Sequence, residues 1–128
     1  MVFKSQTDMP ESCPPSNAAP NNVEPVYRFI ENETVGEIDF LNHKERKKRY
    51  PSEKTCEALA ISFFTTTRAA QRAGRNFKNL KGKIFAEGKI TSECGIHNIE
   101  NGHLNLWLFQ GVDMLKVFLG EEDRGETN

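Results

Sequence analysis

Short apolar blocks separated by polar residues dominate the middle of this chain, and their lengths predict strands rather than long helices. Residues 26–30 are β-branched and aromatic with partial alternation, which is typical of a strand. Residues 59–64 are almost continuously apolar, which indicates a central strand that is buried on both faces. Residues 83–90 predict a further strand, with a bulge or bend at Gly88.

The dipeptide Asn101-Gly102 is the strongest turn signal in the chain. It is the preferred pair for a two-residue type I′ turn, and it lies between apolar runs at 96–100 and 103–109. These runs therefore predict a hairpin, and a last strand is predicted at 112–119. The register that such a turn imposes pairs Glu100 with His103, Ile99 with Leu104 and His97 with Leu106.

One short helix is predicted before the central strand. Thr34 and Glu37 have the spacing of a capping box, which predicts that the helix begins there. The basic run at 43–49 suits the negative end of a helix dipole. Tyr50-Pro51 then ends the helix, because a residue before proline disfavours helical geometry.

A second short helix is predicted directly after the central strand. The threonines at 65–67 supply an N-cap. Arg68, Arg72 and Arg75 follow at helical spacing and form one stripe, while the alanines of this helix lie off that stripe, where small residues allow close packing on a sheet. Gly74 is predicted to begin the frayed end of this helix.

These elements predict an α+β fold, with a mixed or mostly antiparallel sheet of about five strands and two short helices. The hairpin argues against a purely parallel sheet. Residues 1–25 are rich in Pro, Ser and Asn and are predicted to form an extended tail; residues 26–119 form the single domain; residues 120–128 form an acidic, mobile tail.

Length and composition predict a cytoplasmic protein with no membrane association. A chain of 128 residues has room for one modest core, and its opening residues lack the apolar segment of a secretory signal. No apolar run approaches the roughly 18 residues of a membrane span. The three cysteines, Cys13, Cys56 and Cys94, are an odd number without framework spacing, which favours free thiols in a reducing cytosol.

The net charge of −1 conceals a strong segregation of charge along the chain. Residues 43–89 hold thirteen Lys or Arg against four acids, and the rest of the chain holds four against fourteen. A basic segment of this kind attracts phosphate or an acidic partner, unless folding brings the acidic segments against it.

The charge pattern predicts a non-enzymatic binding module without a cofactor, whose partner is an acidic protein surface or a nucleic acid. The run 44–49 resembles a nucleic-acid patch, although solvated helix ends have the same composition. Trp107, with Phe109, is predicted to anchor the partner. The predicted partner-binding residues are Lys44, Arg46, Lys47, Lys48, Arg49, Arg68, Arg72, Arg75 and Trp107.

Metal and nucleophile chemistry have little support in the sequence. There is no Walker loop, GxGxxG, GxSxG or HExxH motif. Cys94, His97 and His103 are soft ligands, but the hairpin register directs the two histidines to opposite faces, so no metal site is predicted. Cys94 and His97 are expected to be an inert thiol and a satisfied histidine.

The early strand with Tyr27-Arg28, followed by residues 60–66 leading into an alanine-containing helix, resembles the layout of ADP-ribosyltransferase-type domains. The resemblance implies an NAD-binding domain in which Arg28 holds the pyrophosphate, while Ser62 and Thr65 belong to the second NAD-binding element. The family's late Glu-x-Glu motif is not present, because the single Glu-x-Glu begins at residue 31. Candidates for its acid are Glu87, Glu93 and Glu100. From the residues alone, Arg28 anchors a carboxylate or phosphate, or extends to water from an edge strand.

Overall fold

The computed structural model describes residues 2–121 and contains one five-stranded sheet in the order β3-β1-β2-β5-β4. Every pair of neighbouring strands is antiparallel, which confirms the predicted α+β class. Of the predicted acidic tail, residues 122–128 lie outside the described range. The strands are β1 (Val23–Phe29), β2 (Ile61–Phe64), β3 (Phe85–Ile90), β4 (Gly95–Glu100) and β5 (His103–Leu108).

Three short α-helices accompany this sheet: α1 (Thr55–Ala58), α2 (Thr67–Asn76) and α3 (Met114–Leu119). None of the helices within residues 2–121 has the length and hydropathy needed to cross a membrane. The described chain also forms 3-10 turns at Gln6–Asp8, Glu37–Phe40, Ser52–Lys54 and Lys78–Leu80.

The predicted hairpin is confirmed in its turn and in its register. Asn101 and Gly102 have φ angles of 54° and 80°, as a type I′ turn requires. The structure pairs Glu100 with His103, Ile99 with Leu104 and His97 with Leu106.

The sheet is covered on both faces. On the α3 face, Phe118 packs in a core that includes Phe63, Leu104 and Leu106. On the α2 face, the buried alanines of α2 pack near Tyr27 and Phe29. Because alternate residues of a strand point to opposite faces, these two cores use alternate positions of the same strands.

Helix α2 follows the prediction closely. Thr66 caps it, since its Oγ1 accepts a hydrogen bond from the Ala69 amide at 3.0 Å. Ala70 and Ala73 are buried. Gly74 does not begin a frayed end, however, because the helix continues to Asn76. A Cβ atom at Gly74 would lie 3.3 Å from the Phe29 ring, so the glycine lets the helix approach β1 closely.

The helix predicted to begin at Thr34 and end in the 43–49 run is wrong, because only the 3-10 turn Glu37–Phe40 forms there. Arginine side chains compete for the carbonyls that a longer helix would use. Arg46 Nη2 donates to the Ile38 oxygen, and Arg28 Nε donates to the Asp39 oxygen, both at 2.7 Å.

The strand predicted at 112–119 is also wrong, because this segment contains α3. Asp113 Oδ1 accepts a hydrogen bond from the Lys116 amide at 3.3 Å and caps the helix. Gly120 ends it with a φ of 75°. Met114, Val117 and Phe118 are buried at helical spacing, and this pattern packs α3 against the core.

The N-terminal residues that precede β1 lie against the domain, and the Cys13–Cys56 disulfide crosslinks them to it. Phe3 forms a bridge with Phe109, and Ala19 forms a bridge with His97. Strand β1 itself begins at Val23, inside the predicted tail.

The prediction of free thiols is wrong for two of the three cysteines, since Cys13 and Cys56 form a disulfide. The third, Cys94, is buried, and its Sγ donates to the Thr91 oxygen at 3.2 Å. Sequence spacing did not reveal the pair because its members are 43 residues apart and become neighbours only when the N-terminal segment folds back onto α1.

Candidate functional site

A cavity of about 490 Å³ opens between α2, the strands β1, β2 and β5, and the segment 41–48. Among the described residues that line it, five are cationic and two are carboxylates, and both His43 and His103 also contribute. The cations are Arg28, Arg46, Lys48, Arg72 and Lys83, and the carboxylates are Glu31 and Glu100.

Arg28 lines this cavity from β1. Strand β1 is joined to β2 by only one register pair, Tyr27 with Phe64. The Arg28 guanidinium bonds across these strands: Nη1 donates to the Ser62 main-chain oxygen at 2.9 Å, and Nε donates to the Asp39 oxygen at 2.7 Å. Both acceptors are neutral carbonyls. None of the ion pairs between described residues includes Arg28.

The charge of Arg28 is therefore held by hydrogen bonds without a carboxylate partner. Burial lowers the pKa of Arg28 to about 10, and neighbouring Arg46 lowers it as well, against the opposing effects of Asp39 and Glu31. The group is still a cation at neutral pH. Asp39 and Glu31 act on this charge without forming a direct ion pair with it, and an anion bound directly beside the guanidinium would stabilise it further.

Arg46 and Lys83 share a single carboxylate, that of Glu31. The Glu31 Oε2 atom lies 2.7 Å from Arg46 Nη1 and 2.8 Å from Lys83 Nζ. Hydrogen bonds from Lys83 and Arg46 lower the pKa of Glu31 to about 2. The Arg46 side chain is 13% exposed, and its Nε is buried without a hydrogen-bond partner among the described residues.

Crowding of positive charge affects the neighbouring titratable groups. Burial lowers the pKa of Lys48, and the positive charges of Arg46 and Lys83 lower it further. Burial also lowers the pKa of His43, and Lys48 and Arg28 act in the same direction. The wall of the cavity thus carries an excess of positive charge that Glu31 and Glu100 do not balance.

Ser62 and His103 lie within hydrogen-bond distance in the same cavity. The distance from Ser62 Oγ to His103 Nε2 is 2.5 Å. Burial lowers the pKa of His103, and the nearby charge of Glu100 opposes that effect. The lowered pKa favours the neutral imidazole, in which one ring nitrogen is an acceptor.

Apolar side chains form the rest of the lining. Phe29 and Phe64 pack edge to face, with ring centroids 5.9 Å apart. Leu80 lines the cavity as well, and Phe77 lies in its wall with 57% of its surface exposed. The cavity therefore combines a cationic wall with an aromatic one.

The eight basic residues among the predicted partner-binding residues separate into three groups. Arg46, Lys48 and Arg72 line the cavity. Lys47, Arg49, Arg68 and Arg75 are exposed and do not line it. Lys44 pairs with Asp8 of the N-terminal segment at 2.7 Å.

The arginines of α2 are not neutralised by ion pairs within the described part of the chain, since no salt bridge there includes Arg68, Arg72 or Arg75. Trp107 is a correction. Its side chain is 1% exposed and its Nε1 donates to the Cys56 oxygen at 3.0 Å, so it is a core residue and not a surface anchor.

The candidates taken from the ADP-ribosyltransferase resemblance are only partly brought together. Arg28, Ser62 and Glu100 line the cavity. Thr65 does not line it, and its Oγ1 donates to the Gly102 oxygen at 3.4 Å. Glu87 lies opposite Tyr27 on β3, where burial and the Glu87 carboxylate raise the pKa of Tyr27.

No group of three or more His, Cys, Asp or Glu side chains within residues 2–121 is arranged to hold a metal ion. The structure has the predicted hairpin register, which directs His97 and His103 to opposite faces of the sheet. The expectation of a satisfied histidine is wrong for His97, because the residue is buried and its Nδ1 has no hydrogen-bond partner among the described residues.

Two features of the site were missed at the level of sequence. One is the Glu31–Lys83 pair, whose members are 52 residues apart and carry no local signal. The other is the Ser62–His103 contact. The hairpin turn predicts the face of His103, but only the pairing of β5 with β2 brings it to Ser62.

No known protein family, no curated protein and no solved structure matches this chain. The geometry and charge of the cavity are therefore the basis for assigning it a function.

Proposed function

We propose that this protein is a binding module that holds an anionic group of a partner in the cavity between α2 and the segment 41–48. The observation that carries the proposal is the charge of Arg28, which has no direct ion pair among the described residues. Its guanidinium bonds two neutral carbonyls and lies beside Arg46. An anionic group would supply a counter-charge in direct contact.

A phosphate of a single-stranded nucleic acid fits the cavity better than the carboxylates of an acidic protein surface. Several cations converge on one concave site, and Arg and Lys are the side chains that contact phosphate groups of nucleic acids. Phe77 is an exposed aromatic ring in the wall of the same cavity, and proteins that bind single strands combine cationic grooves with such rings for base stacking.

Residues outside the cavity would extend the contact. Arg68 and Arg75 are exposed on the same helix as Arg72. Lys47 is exposed within the segment 41–48, and Arg49 directly follows that segment. These side chains would add contacts of longer range that depend strongly on salt.

Titration of the protein into labelled single-stranded RNA, single-stranded DNA and a polyglutamate peptide tests the proposal. We expect binding at low ionic strength, and an affinity for the nucleic acids that falls steeply as salt is raised. Preference for polyglutamate would replace the nucleic-acid partner with an acidic protein. Absence of binding to all three would contradict the proposal.

A matched set of charge reversals locates the binding site. Arg72→Glu changes a cavity residue, and we expect it to make the salt dependence shallower by about one unit of slope. Arg75→Glu changes the same helix outside the cavity, and Lys116→Glu changes the exposed surface of α3 on the opposite face of the sheet. Equal effects of all three would show non-specific attraction.

A second candidate function is NAD binding, as the ADP-ribosyltransferase resemblance implies. The observation that favours it is the hydrogen bond from Arg28 to the Ser62 oxygen at 2.9 Å, because these two residues were the candidates for holding NAD. Glu100 is the acidic candidate that lines the same cavity. Calorimetric titration with NAD, together with an assay for nicotinamide release, tests this function. Absence of NAD binding would exclude it.

The compartment is also part of the proposal. The predicted cytoplasmic location depended on free thiols, and the Cys13–Cys56 disulfide is typical of an oxidising environment. We therefore favour an oxidising compartment for the folded protein.

A further inference from the structure

The pairing of β2 with β5 directs Ser62 and His103 to the same face of the sheet. Ser62 is opposite Asn105, and His103 is two residues before Asn105, so the two residues are diagonal neighbours. Diagonal positions in antiparallel strands lie about 7–8 Å apart, a distance that a histidine side chain can span. The observed contact between Oγ and Nε2, at 2.5 Å, follows from this register.

The surroundings orient the imidazole and leave the hydroxyl accessible. The His103 ring packs on the Phe64 ring, with centroids 5.4 Å apart. Ser62 and His103 are both half-buried and line the cavity rather than the core. Arg28 donates to the main-chain oxygen of Ser62, so a cation contacts the same residue that carries the hydroxyl.

We propose that Ser62 and His103 are a nucleophile and its general base, and that the cavity hydrolyses carboxylic esters that carry an anionic group. A serine hydroxyl becomes a nucleophile when a neutral imidazole within hydrogen-bond distance accepts its proton. The preference for an anionic ester rests on the proposed anion binding in the cavity. The reactivity of Ser62 does not rest on it.

The reaction would proceed in two balanced steps. In the first, Ser62 Oγ bonds to the ester carbonyl carbon as its proton moves to His103 Nε2. The resulting tetrahedral anion then collapses, the ester C–O bond breaks, and the leaving alcohol takes the proton from His103. In the second step, water bonds to the acyl carbon on Ser62 and gives its proton to His103. The bond between the acyl carbon and Oγ then breaks, the acid leaves, and His103 returns the proton to Oγ. One ester and one water give one acid and one alcohol.

Labelling with a neutral fluorophosphonate tests the nucleophile independently of anion binding. Attack by Ser62 Oγ forms an O–P bond and expels fluoride. We expect mass spectrometry of the digested protein to find the phosphonyl group on Ser62. Ser62→Ala should abolish labelling, while Ser52→Ala, an exposed serine outside the cavity, should leave it unchanged.

His103→Gln tests the general base. We expect the labelling rate of Ser62 to fall by about 10²-fold or more, the usual contribution of such a base. Thermal unfolding of the variant shows whether it is folded. Burst kinetics of the wild-type chain provide a measurement that needs no variant: 4-nitrophenyl hydrogen succinate should release about one nitrophenolate per chain before the slower turnover, as an acyl-enzyme requires.

Three results would overturn the inference or part of it. Absence of a phosphonyl group on Ser62 in folded wild-type protein would overturn the nucleophile. An unchanged labelling rate in folded His103→Gln would overturn the base. If Ser62 is labelled but 4-nitrophenyl hydrogen succinate and the neutral 4-nitrophenyl acetate are hydrolysed at equal rates, the proposed preference for anionic esters is wrong. That result would also count against anion binding in the cavity.

Discussion

Arg28 donates from Nη1 to the main-chain oxygen of Ser62 at 2.9 Å and thereby links β1 to β2 where the two strands have a single register pair. The same contact places a cation beside the residue whose hydroxyl bonds His103. We therefore expect stability, the proposed anion binding and the proposed chemistry of Ser62 to be coupled through one arginine.

Replacement of Arg28 should separate its structural role from its charge. In Arg28→Met, the carbonyls of Ser62 and Asp39 both lose their donor, at a cost of about 1–3 kcal/mol for each buried acceptor left unsatisfied. In Arg28→Lys, the charge stays but the planar two-donor geometry is lost, so we expect Arg28→Lys to be less stable than Arg28→Met. Arg28→Met should nevertheless lose more anion affinity. Urea unfolding and anion titration of both variants measure this, and the opposite stability order would contradict it.

Glu31 should contribute stability that depends on pH. Its folded pKa of about 2 lies below the ordinary value of 4.5, so its contribution is fully present above pH 4.5 and is lost as the pH falls towards 2. Because the ion pairs are partly exposed, we expect Glu31→Gln to lower the free energy of unfolding at pH 7 by no more than about 1 kcal/mol for each pair. The difference between variant and wild type should vanish near pH 2.

Urea unfolding at pH 7, 5, 3 and 2 measures this effect. Glu33→Gln is the matched control, since Glu33 is two residues away, exposed, and in no ion pair within the described range. A difference for Glu31→Gln that persists unchanged at pH 2 would show that its cause is packing rather than charge.

Reduction of the Cys13–Cys56 disulfide should lower stability. The bond joins residues 43 apart in sequence, and removal of a crosslink over such a loop costs about 2–4 kcal/mol. Trp107 donates to the Cys56 oxygen, so its fluorescence reports on this region. We expect reductant to lower the melting temperature of the wild type and to leave a Cys13→Ser/Cys56→Ser variant unchanged. An identical melting temperature with and without reductant would contradict the prediction.

Gly88 should not tolerate a side chain. A Cβ atom there would lie 2.5 Å from both the ring and the main-chain oxygen of Phe118, so α3 must move away from β3. We expect Gly88→Ala to destabilise the protein by about 1–3 kcal/mol, as overpacking usually does. Gly36→Ala is the control, because nothing lies within 4 Å of the equivalent atom. Thermal unfolding of both variants measures the difference, and equal melting temperatures would show that α3 adapts without cost.

Local backbone chemistry made several elements predictable. Two residues, Asn101 and Gly102, form the type I′ turn and thereby set the register of the strands beside it. Thr66 caps α2 by a hydrogen bond to an amide only three residues away. The wrong prediction of a strand at residues 112–119 also has a local cause. Its apolar run fits a strand, but Asp113 and Gly120 are helix-capping residues, and they determine the outcome.

The sequence by itself determined the α+β class, the hairpin register and the arginine stripe of α2, because each depends on residues within a few positions of one another. Only the tertiary structure decided which distant residues meet. Arg28 is 34 residues from Ser62, Lys83 is 52 residues from Glu31, and Cys13 is 43 residues from Cys56. These partners are selected by strand order and by the path of the N-terminal segment. Packing of the whole chain sets both, and no short stretch of sequence specifies them.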